Sequence, residues 1–343
     1  PVVVAGKNGH ATLDPAQIAS VLSFEPDGRG SLKAVYHNDT ATALLAPPLA
    51  AGETQPKEAT FALASGKPVV VSSVDGEKVD WAKTLELLPA ALVKPHDRTV
   101  QAVYQPQYPK LTTEAAQKLG VVEPIAEFTT GGFTGASGVN IATVARKVNG
   151  AVVLPGQIFS LNGFTGPRGE AQGYVESVII DHGRPSKAVG GGISQFATTL
   201  YNAAYFAGLQ DEGHTEHSYY ISRYPAAREA TVFDGVIDLK FRNNTPNGLL
   251  IEATTTSSKV TVRLWGTKHV DVESVTGERT KPTEPKQITL PEGKDCITSN
   301  GAPGFTISDT RIIRDHGSGR EIYRHTRNVK YDPVPNVTCK SEP

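Results

Sequence analysis

The sequence predicts a multidomain α+β protein: an antiparallel, β-rich domain with a central helix, preceded by two small α+β repeats and followed by a β-hairpin module. Its length of 343 residues exceeds that of one average domain. The 33 glycines and 24 prolines indicate many turns between short elements. One strong helical pattern after residue 190 lies among short, strand-like segments. We therefore expect domains at 1–49, 58–120, 122–270 and 285–343.

The N-terminal residues contain a repeat with a spacing of about 67 residues. Pro1-Val-Val-Val4 matches Pro68-Val-Val-Val71, and each copy continues with a glycine turn, an amphipathic stretch and a short strand-like segment. The amphipathic stretches are 14–24 and 80–92, and the strand-like segments are 33–36 and 101–104. Asp80 is interpreted as a helix start. Neither copy carries a cluster of catalytic side chains.

The central feature is the loop Gly190-Gly-Gly-Ile-Ser-Gln195, which leads into a predicted helix. Apolar side chains then recur every three or four residues, and Gly208 is placed to end the helix with a left-handed cap. Ser194 is predicted to cap the helix N-terminus. Ser194, Thr198 and Asn202 are four residues apart and share one polar face, which suits a ligand bound close to the backbone. The alternative is a glycine-rich turn with a capping serine.

Shorter elements are predicted on both sides of this helix. A helix is predicted over 139–149, before the glycine loop. Strands are predicted at 175–180, 219–222, 230–235, 238–243, 249–254 and 259–265. The tail predicts a β-hairpin, in which the turn Asp315-His-Gly-Ser-Gly319 joins strands 305–314 and 321–330.

The two cysteines of the chain, Cys296 and Cys339, lie in its last fifty residues. A disulfide between them is predicted, with two buried free thiols as the alternative. In the loop-entropy model, closing that loop stabilises the fold by about 4 kcal/mol. A structural disulfide implies an oxidising, extracytoplasmic compartment.

Charge and hydropathy exclude several classes of function. A formal net charge of −1 gives no support to nucleic-acid binding or to polybasic membrane binding. No apolar run approaches the roughly 18–20 residues of a membrane span. Because the chain begins at Pro1, an upstream signal peptide or anchor is expected. No cofactor is expected.

Ser194 and His217 form the candidate catalytic pair. A serine at a helix start lies near free N–H groups that can hold an oxyanion, and a histidine on a later strand edge can act as its base. Asp181, Glu216 and Glu229 are each candidates for the carboxylate that orients this histidine. The hydrolase signature Gly-x-Ser-x-Gly is absent, because Ser194 lies in Gly-Ile-Ser-Gln-Phe.

Two further sets of side chains are candidates for binding a metal or a ligand. His214 and His217, three residues apart, give only a weak zinc signal without a third ligand, so no metal is expected. Arginine binds carboxylates in bidentate geometry, so converging arginines would suit a ligand such as a peptidoglycan stem peptide. The alternative is a set of ordinary surface arginines. The four in this region are Arg168, Arg184, Arg223 and Arg228.

Residues 125–266 carry a series of motifs in a fixed order. They include Phe159-Ser-Leu-Asn162, Gly166-Pro-Arg168, Gly173-Tyr174, Gly190-Gly-Gly-Ile-Ser-Gln195, Thr199-Leu-Tyr-Asn-Ala203, His217-Ser218, Arg228-Glu-Ala-Thr-Val232 and Asp238-Leu-Lys-Phe241. This series resembles the ordered signature of the VanW family. The N-terminal repeats resemble peptidoglycan-binding modules, and the tail is similar to the five-glycine modules of cell-wall proteins. The whole arrangement looks like an actinobacterial envelope protein.

This resemblance implies a site around the glycine loop. VanW proteins are associated with vancomycin-resistance clusters, and some clostridial members resemble L,D-transpeptidases, with a cysteine in Gly-Gly-Gly-Ile-Cys-Gln as nucleophile. Ser194 matches that cysteine, and His217 matches the family histidine. The residues expected to bind the ligand are Gly190, Gly191, Gly192, Gln195, Arg168, Tyr174, Arg184, Asn202 and Arg228.

Three functions follow as hypotheses. The first is a secreted or anchored envelope protein that binds peptidoglycan, its stem peptide or its glycan, without efficient transpeptidation. The second is an acyltransferase or hydrolase with Ser194 as nucleophile and His217 as base. The third is a structural spacer in the envelope, for which other envelope proteins are the expected partners.

Overall fold

The computed structural model describes residues 1–133, 135–181, 184–293 and 296–340, without the side chains of 180–181 and 184–185. Its helices are α1 Pro15–Val21, α2 Asn38–Leu49, α3 Trp81–Glu86, α4 Leu88–Leu92, α5 Thr113–Lys118, α6 Gly135–Val148, α7 Leu161–Thr165 and α8 Ile193–Phe206. The first strands are β1 Val2–Gly6, β2 Gly9–Leu13, β3 Leu22–Pro26, β4 Leu32–Tyr36, β5 Thr60–Ala64, β6 Lys67–Val71, β7 Gly76–Val79, β8 Thr99–Gln101 and β9 Tyr104–Gln107.

The remaining strands follow residue 122. They are β10 Glu123–Gly131, β11 Ala151–Val153, β12 Ile158–Ser160, β13 Glu176–Asp181, β14 Arg184–Val189, β15 Gln210–Gly213, β16 Lys240–Arg242, β17 Leu249–Thr255, β18 Lys259–Gly266, β19 Val270–Thr276, β20 Thr280–Thr283, β21 Gln287–Pro291, β22 Ser299–Ala302, β23 Gly304–Asp315, β24 Glu321–Tyr331 and β25 Val334–Lys340. Most of these strands form small sheets, and the strands outnumber the helices, which confirms the predicted α+β, β-rich class.

The described chain divides into two compact units. The first is 1–60 with 70–116, and the second is 61–69 with 117–343. In the first unit, β1 pairs antiparallel with β2 and parallel with β8. Its core takes Val2 and Leu45 from one predicted repeat and Leu88 and Val100 from the other, so the two copies share one core. The boundaries at 1–49 and 58–120 stay a prediction.

The second unit is built on an antiparallel sheet in the order β10-β18-β17-β11. Helix α8 packs against β10 and β18, and α6 packs against β17. Side chains of α8 such as Phe196, Leu200 and Ala203 are completely buried in this core. The central helix is thus present: Gly208 ends it as predicted, whereas its N-cap lies two residues before the predicted Ser194.

The C-terminal part of this unit contains the predicted hairpin. β23 pairs with β24 in antiparallel register, and β19 pairs with the other edge of β23. The disulfide between Cys296 and Cys339 is present, with a Cα–Cα distance of 5.9 Å, so its prediction is confirmed. None of the described helices has the length and apolar character that a membrane span requires.

Several predicted elements differ from the structure. No strand forms over 219–222 because the chain turns there, with the Tyr224 N–H donating to the Ile221 carbonyl. The segment 230–235 contributes only an isolated bridge, from Phe233 to Ile237. The stretch 80–92 splits into α3 and α4, and Asp80 caps α3 as predicted by accepting the Lys83 N–H.

Candidate functional site

The glycine loop brings the start of α8 close to strand β13. Gly190 and Gly192 have φ values of 85° and 95°, in the left-handed region that favours glycine. A Cβ atom on Gly191 would lie 2.5 Å from the Ser177 carbonyl oxygen, so a side chain does not fit there. The prediction that Ser194 caps the helix is wrong, because Gly192 is the N-cap residue and Ser194 lies in the first turn.

The polar face of α8 pairs with the backbone of the segment 228–232. The Val232 N–H donates to Ser194 Oγ at 3.2 Å, and that hydroxyl donates to the Val232 carbonyl at 3.5 Å. Thr198 makes the same two contacts with Ala230, at 3.0 and 3.3 Å. Asn202 Nδ2 donates to the Arg228 carbonyl at 2.7 Å.

This pairing follows from the dimensions of a helix and a strand. Four helical residues rise about 6 Å, and two extended residues span about 6.6 Å. Side chains at every fourth position of α8 therefore meet backbone groups at every second position of an antiparallel segment. The face that the sequence suggested for a ligand is covered by the protein's own chain.

Gln195 lies on a different face of α8 and is 1% exposed. Its Nε2 donates to Thr130 Oγ1 and to the Gly131 carbonyl, at 3.2 and 2.8 Å. Its Oε1 accepts a hydrogen bond of 3.1 Å from Arg223 Nε. The guanidinium of Arg223 lies over the Tyr224 ring, 4.9 Å from its centroid.

His217 is paired with a buried carboxylate. Its Nδ1 lies 3.2 Å from Glu229 Oε2, and Glu229 is 0% exposed. Glu229 is therefore the carboxylate placed to orient this histidine, whereas Glu216 lies 2.5 Å from Arg327 Nε. The side chain of Asp181 lies outside the described residues.

Ser194 and His217 lie in segments that a backbone hydrogen bond connects. Thr231 donates its N–H to the Thr215 carbonyl, which places the segment that holds Ser194 beside the one that carries His217. The rings of His217 and Tyr224 have centroids 5.3 Å apart. Within the described ranges, no hydrogen bond joins Ser194 to His217, so their serine–base contact is not formed here.

The other expected ligand-binding side chains contact neighbours within the protein. Arg168 is buried and donates to Asn162 and Thr165. Tyr174 is 1% exposed, and burial raises the pKa of its hydroxyl. Arg228 lies over the Phe206 ring at 5.1 Å. The side chain of Arg184 lies outside the described residues, and the roles expected for all these residues stay predictions.

Two other features complete the surroundings. His214 contacts Asp211 at 2.6 Å, and among the described side chains no group of three or more His, Cys, Asp or Glu is arranged to hold a metal ion.

A cavity of about 150 Å³ lies beside the second half of α8, lined by Tyr201, Tyr205 and residues of β23 and β24. Its lining includes neither Ser194 nor His217.

Sequence reasoning missed Tyr224 and left the choice of carboxylate open. Tyr224 follows Arg223 in the sequence but stands in no pattern that marks a site. Glu229 is twelve residues from His217, and only the tertiary pairing of 215 with 231 brings the two side chains together. No local signal could have identified this pair.

Comparison with known proteins agrees with the motifs. Residues 136–265 match the family model described as "VanW like protein". Residues 3–101 match the model described as "Putative peptidoglycan binding domain". Both resemblances predicted from the sequence are thereby confirmed over these residues.

One curated relative aligns with part of the chain. It is the uncharacterized protein YoaR of Bacillus subtilis (strain 168), which is 39% identical over 114 residues, 33% of this chain and 38% of that relative. This chain thus covers well under two thirds of the relative's length. No solved structure matches the chain. The chain therefore carries one segment similar to VanW-like proteins and a second segment similar to peptidoglycan-binding domains.

Proposed function

We propose that this protein is a cell-envelope protein that binds peptidoglycan, and that the region around Ser194 and Gln195 holds a stem peptide or glycan without efficient transpeptidation. The two family matches support a cell-wall location. The disulfide between Cys296 and Cys339 supports an extracytoplasmic one, because such bonds persist in oxidising compartments. The resemblance to actinobacterial envelope proteins and five-glycine modules is part of this proposal.

The hydrogen bonds of the Ser194 hydroxyl are the observation that favours a binding function over a catalytic one. Among the described residues, its hydrogen bonds go to the backbone of Val232 and none goes to His217. A helix N-terminus can convert a thiol with a pKa near 8.5 into a thiolate around neutral pH. An alcohol remains protonated there, so it needs an aligned base to act as a nucleophile.

Co-sedimentation of the full chain with purified sacculi tests this function. We expect the protein to pellet with sacculi, and we expect Ser194→Ala to pellet equally. Incubation with muropeptides should yield no new cross-links and no released D-alanine. Absence of binding would contradict the proposal and favour the structural spacer.

A serine-dependent acyltransferase or hydrolase is the second candidate function. The buried contact between His217 and Glu229 favours it, because a carboxylate on Nδ1 fixes the tautomer and leaves Nε2 to act as a base. New cross-links or released D-alanine, lost in Ser194→Ala, would establish this activity over binding alone. Transpeptidation gained in Ser194→Cys would show that the remaining site is competent.

A further inference from the structure

The Arg223 guanidinium is held in place by neutral groups. Its Nε donates to Gln195 Oε1 at 3.1 Å, and its Nη2 donates to the Tyr224 hydroxyl at 3.4 Å. Gln195 is itself fixed, because its Nε2 donates to the side-chain oxygen of Thr130 and to the carbonyl of Gly131 at the end of β10. Arg223 is therefore oriented before any ligand arrives.

The positive charge of Arg223 has no described counter-charge. Other arginines of the same unit pair with carboxylates, for example Arg242 with Glu212 and Arg324 with Glu321. Over the described residues, no Asp or Glu lies within 4.0 Å of Arg223, and the residue is exposed. A fixed guanidinium with free N–H groups matches the geometry of a carboxylate, and it loses little conformational freedom on binding.

We propose that Arg223 recognises a carboxylate of the peptide bound at this site, which makes it a specificity-determining residue. This inference rests on the proposed function and names the ligand chemistry that the site selects. Gln195, which holds Arg223, follows Ser194 directly in α8. Tyr224, which the guanidinium covers, contacts the ring of His217. The carboxylate would thus be bound between the start of α8 and His217.

Two synthetic stem peptides that end in D-alanine test this proposal, one with a free α-carboxylate and one with a C-terminal carboxamide. Calorimetric titration of the full chain should give tighter binding of the carboxylate peptide by about tenfold or more. Arg223→Gln should abolish that preference, so that the two peptides bind with similar affinity. Arg223→Lys keeps the positive charge but loses the paired N–H donors of the guanidinium, so its preference for the carboxylate peptide should be intermediate.

Arg320→Gln is the matched control, because Arg320 is also exposed and lies in the distant turn between β23 and β24. It should keep the wild-type preference. A preference that persists in Arg223→Gln would overturn the inference and leave the proposed function intact. If the full chain binds sacculi but neither peptide, the inference is also overturned. If it binds neither sacculi nor the peptides, the proposed function itself is refuted.

Discussion

The hydroxyl of Thr198 lies in the protein interior and bonds to both backbone polar groups of Ala230. Ala230 and Thr198 are both 0% exposed, so water cannot replace either contact. A buried N–H or carbonyl that loses its partner costs about 1–3 kcal/mol. At the scale of single residues, the polar face of α8 therefore contributes to the stability of the fold.

Replacing Thr198 by valine keeps the shape of the side chain and removes the hydroxyl. We expect Thr198→Val to lower the free energy of unfolding by about 1–3 kcal/mol, because the Ala230 N–H loses its acceptor. Urea unfolding followed by circular dichroism measures this loss. Thr326→Val is the control, because Thr326 is exposed on β24, and its change should stay within about 0.5 kcal/mol. Equal effects of the two substitutions would contradict this role for Thr198.

At the scale of elements, the hairpin of β23 and β24 supports the segment that carries His217. The Tyr331 hydroxyl accepts the Ala227 N–H at 2.8 Å, and the Asp332 N–H donates to the Ser218 carbonyl at 2.7 Å. Tyr220 packs against Phe305 in the same cluster. The hairpin therefore fixes both ends of the loop between Ser218 and Ala227.

The disulfide closes a loop that contains this hairpin. Its cysteines are 43 residues apart, and the loop-entropy model gives about 4 kcal/mol for such a loop. We expect the double variant with Cys296→Ser and Cys339→Ser to lose about that free energy of unfolding. Reductant should destabilise the wild type to a similar extent and leave the double variant unchanged. A wild type that unfolds identically with and without reductant would disprove this contribution.

The success of sequence-based prediction depended on how local each element is. The hairpin of β23 and β24 was predictable because its alternating strands and glycine-containing turn are adjacent in the chain. The predicted strand at 219–222 was wrong because Tyr220 is held by packing against Phe305 and Tyr331, far away in sequence. The partners of Ser194 could not be predicted for the same reason, since Val232 lies 38 residues later.

At the scale of the whole chain, buried tyrosines determine the response to high pH. Burial raises the pKa of Tyr201. Burial and the hydrogen bond to Asp309 together raise the pKa of Tyr205. Burial and the neighbouring Glu229 raise the pKa of Tyr331. In the unfolded chain these phenols ionise near pH 10. Their stabilising contribution is therefore complete below about pH 10 and decreases as the pH rises further.

Each such tyrosine should lower the free energy of unfolding by up to about 1.4 kcal/mol for each pH unit above 10. We expect the absorbance of tyrosinate at 295 nm to rise in part only when circular dichroism reports unfolding. Tyr205→Phe removes one of these groups and should reduce the pH slope by about 1.4 kcal/mol per unit. Complete tyrosine ionisation before unfolding would contradict this prediction.

The pairing of α8 with the segment 228–232 also limits which sequence changes the site tolerates. Positions 230 and 232 must each supply an N–H, so proline is the residue type that they cannot accept. The side chain at position 194 must donate one hydrogen bond and accept another. A thiol is a weak hydrogen-bond donor and a weak acceptor. A cysteine there would bind Val232 less firmly than Ser194 does. The Ser194 oxygen therefore secures the start of α8 to the segment that carries Val232.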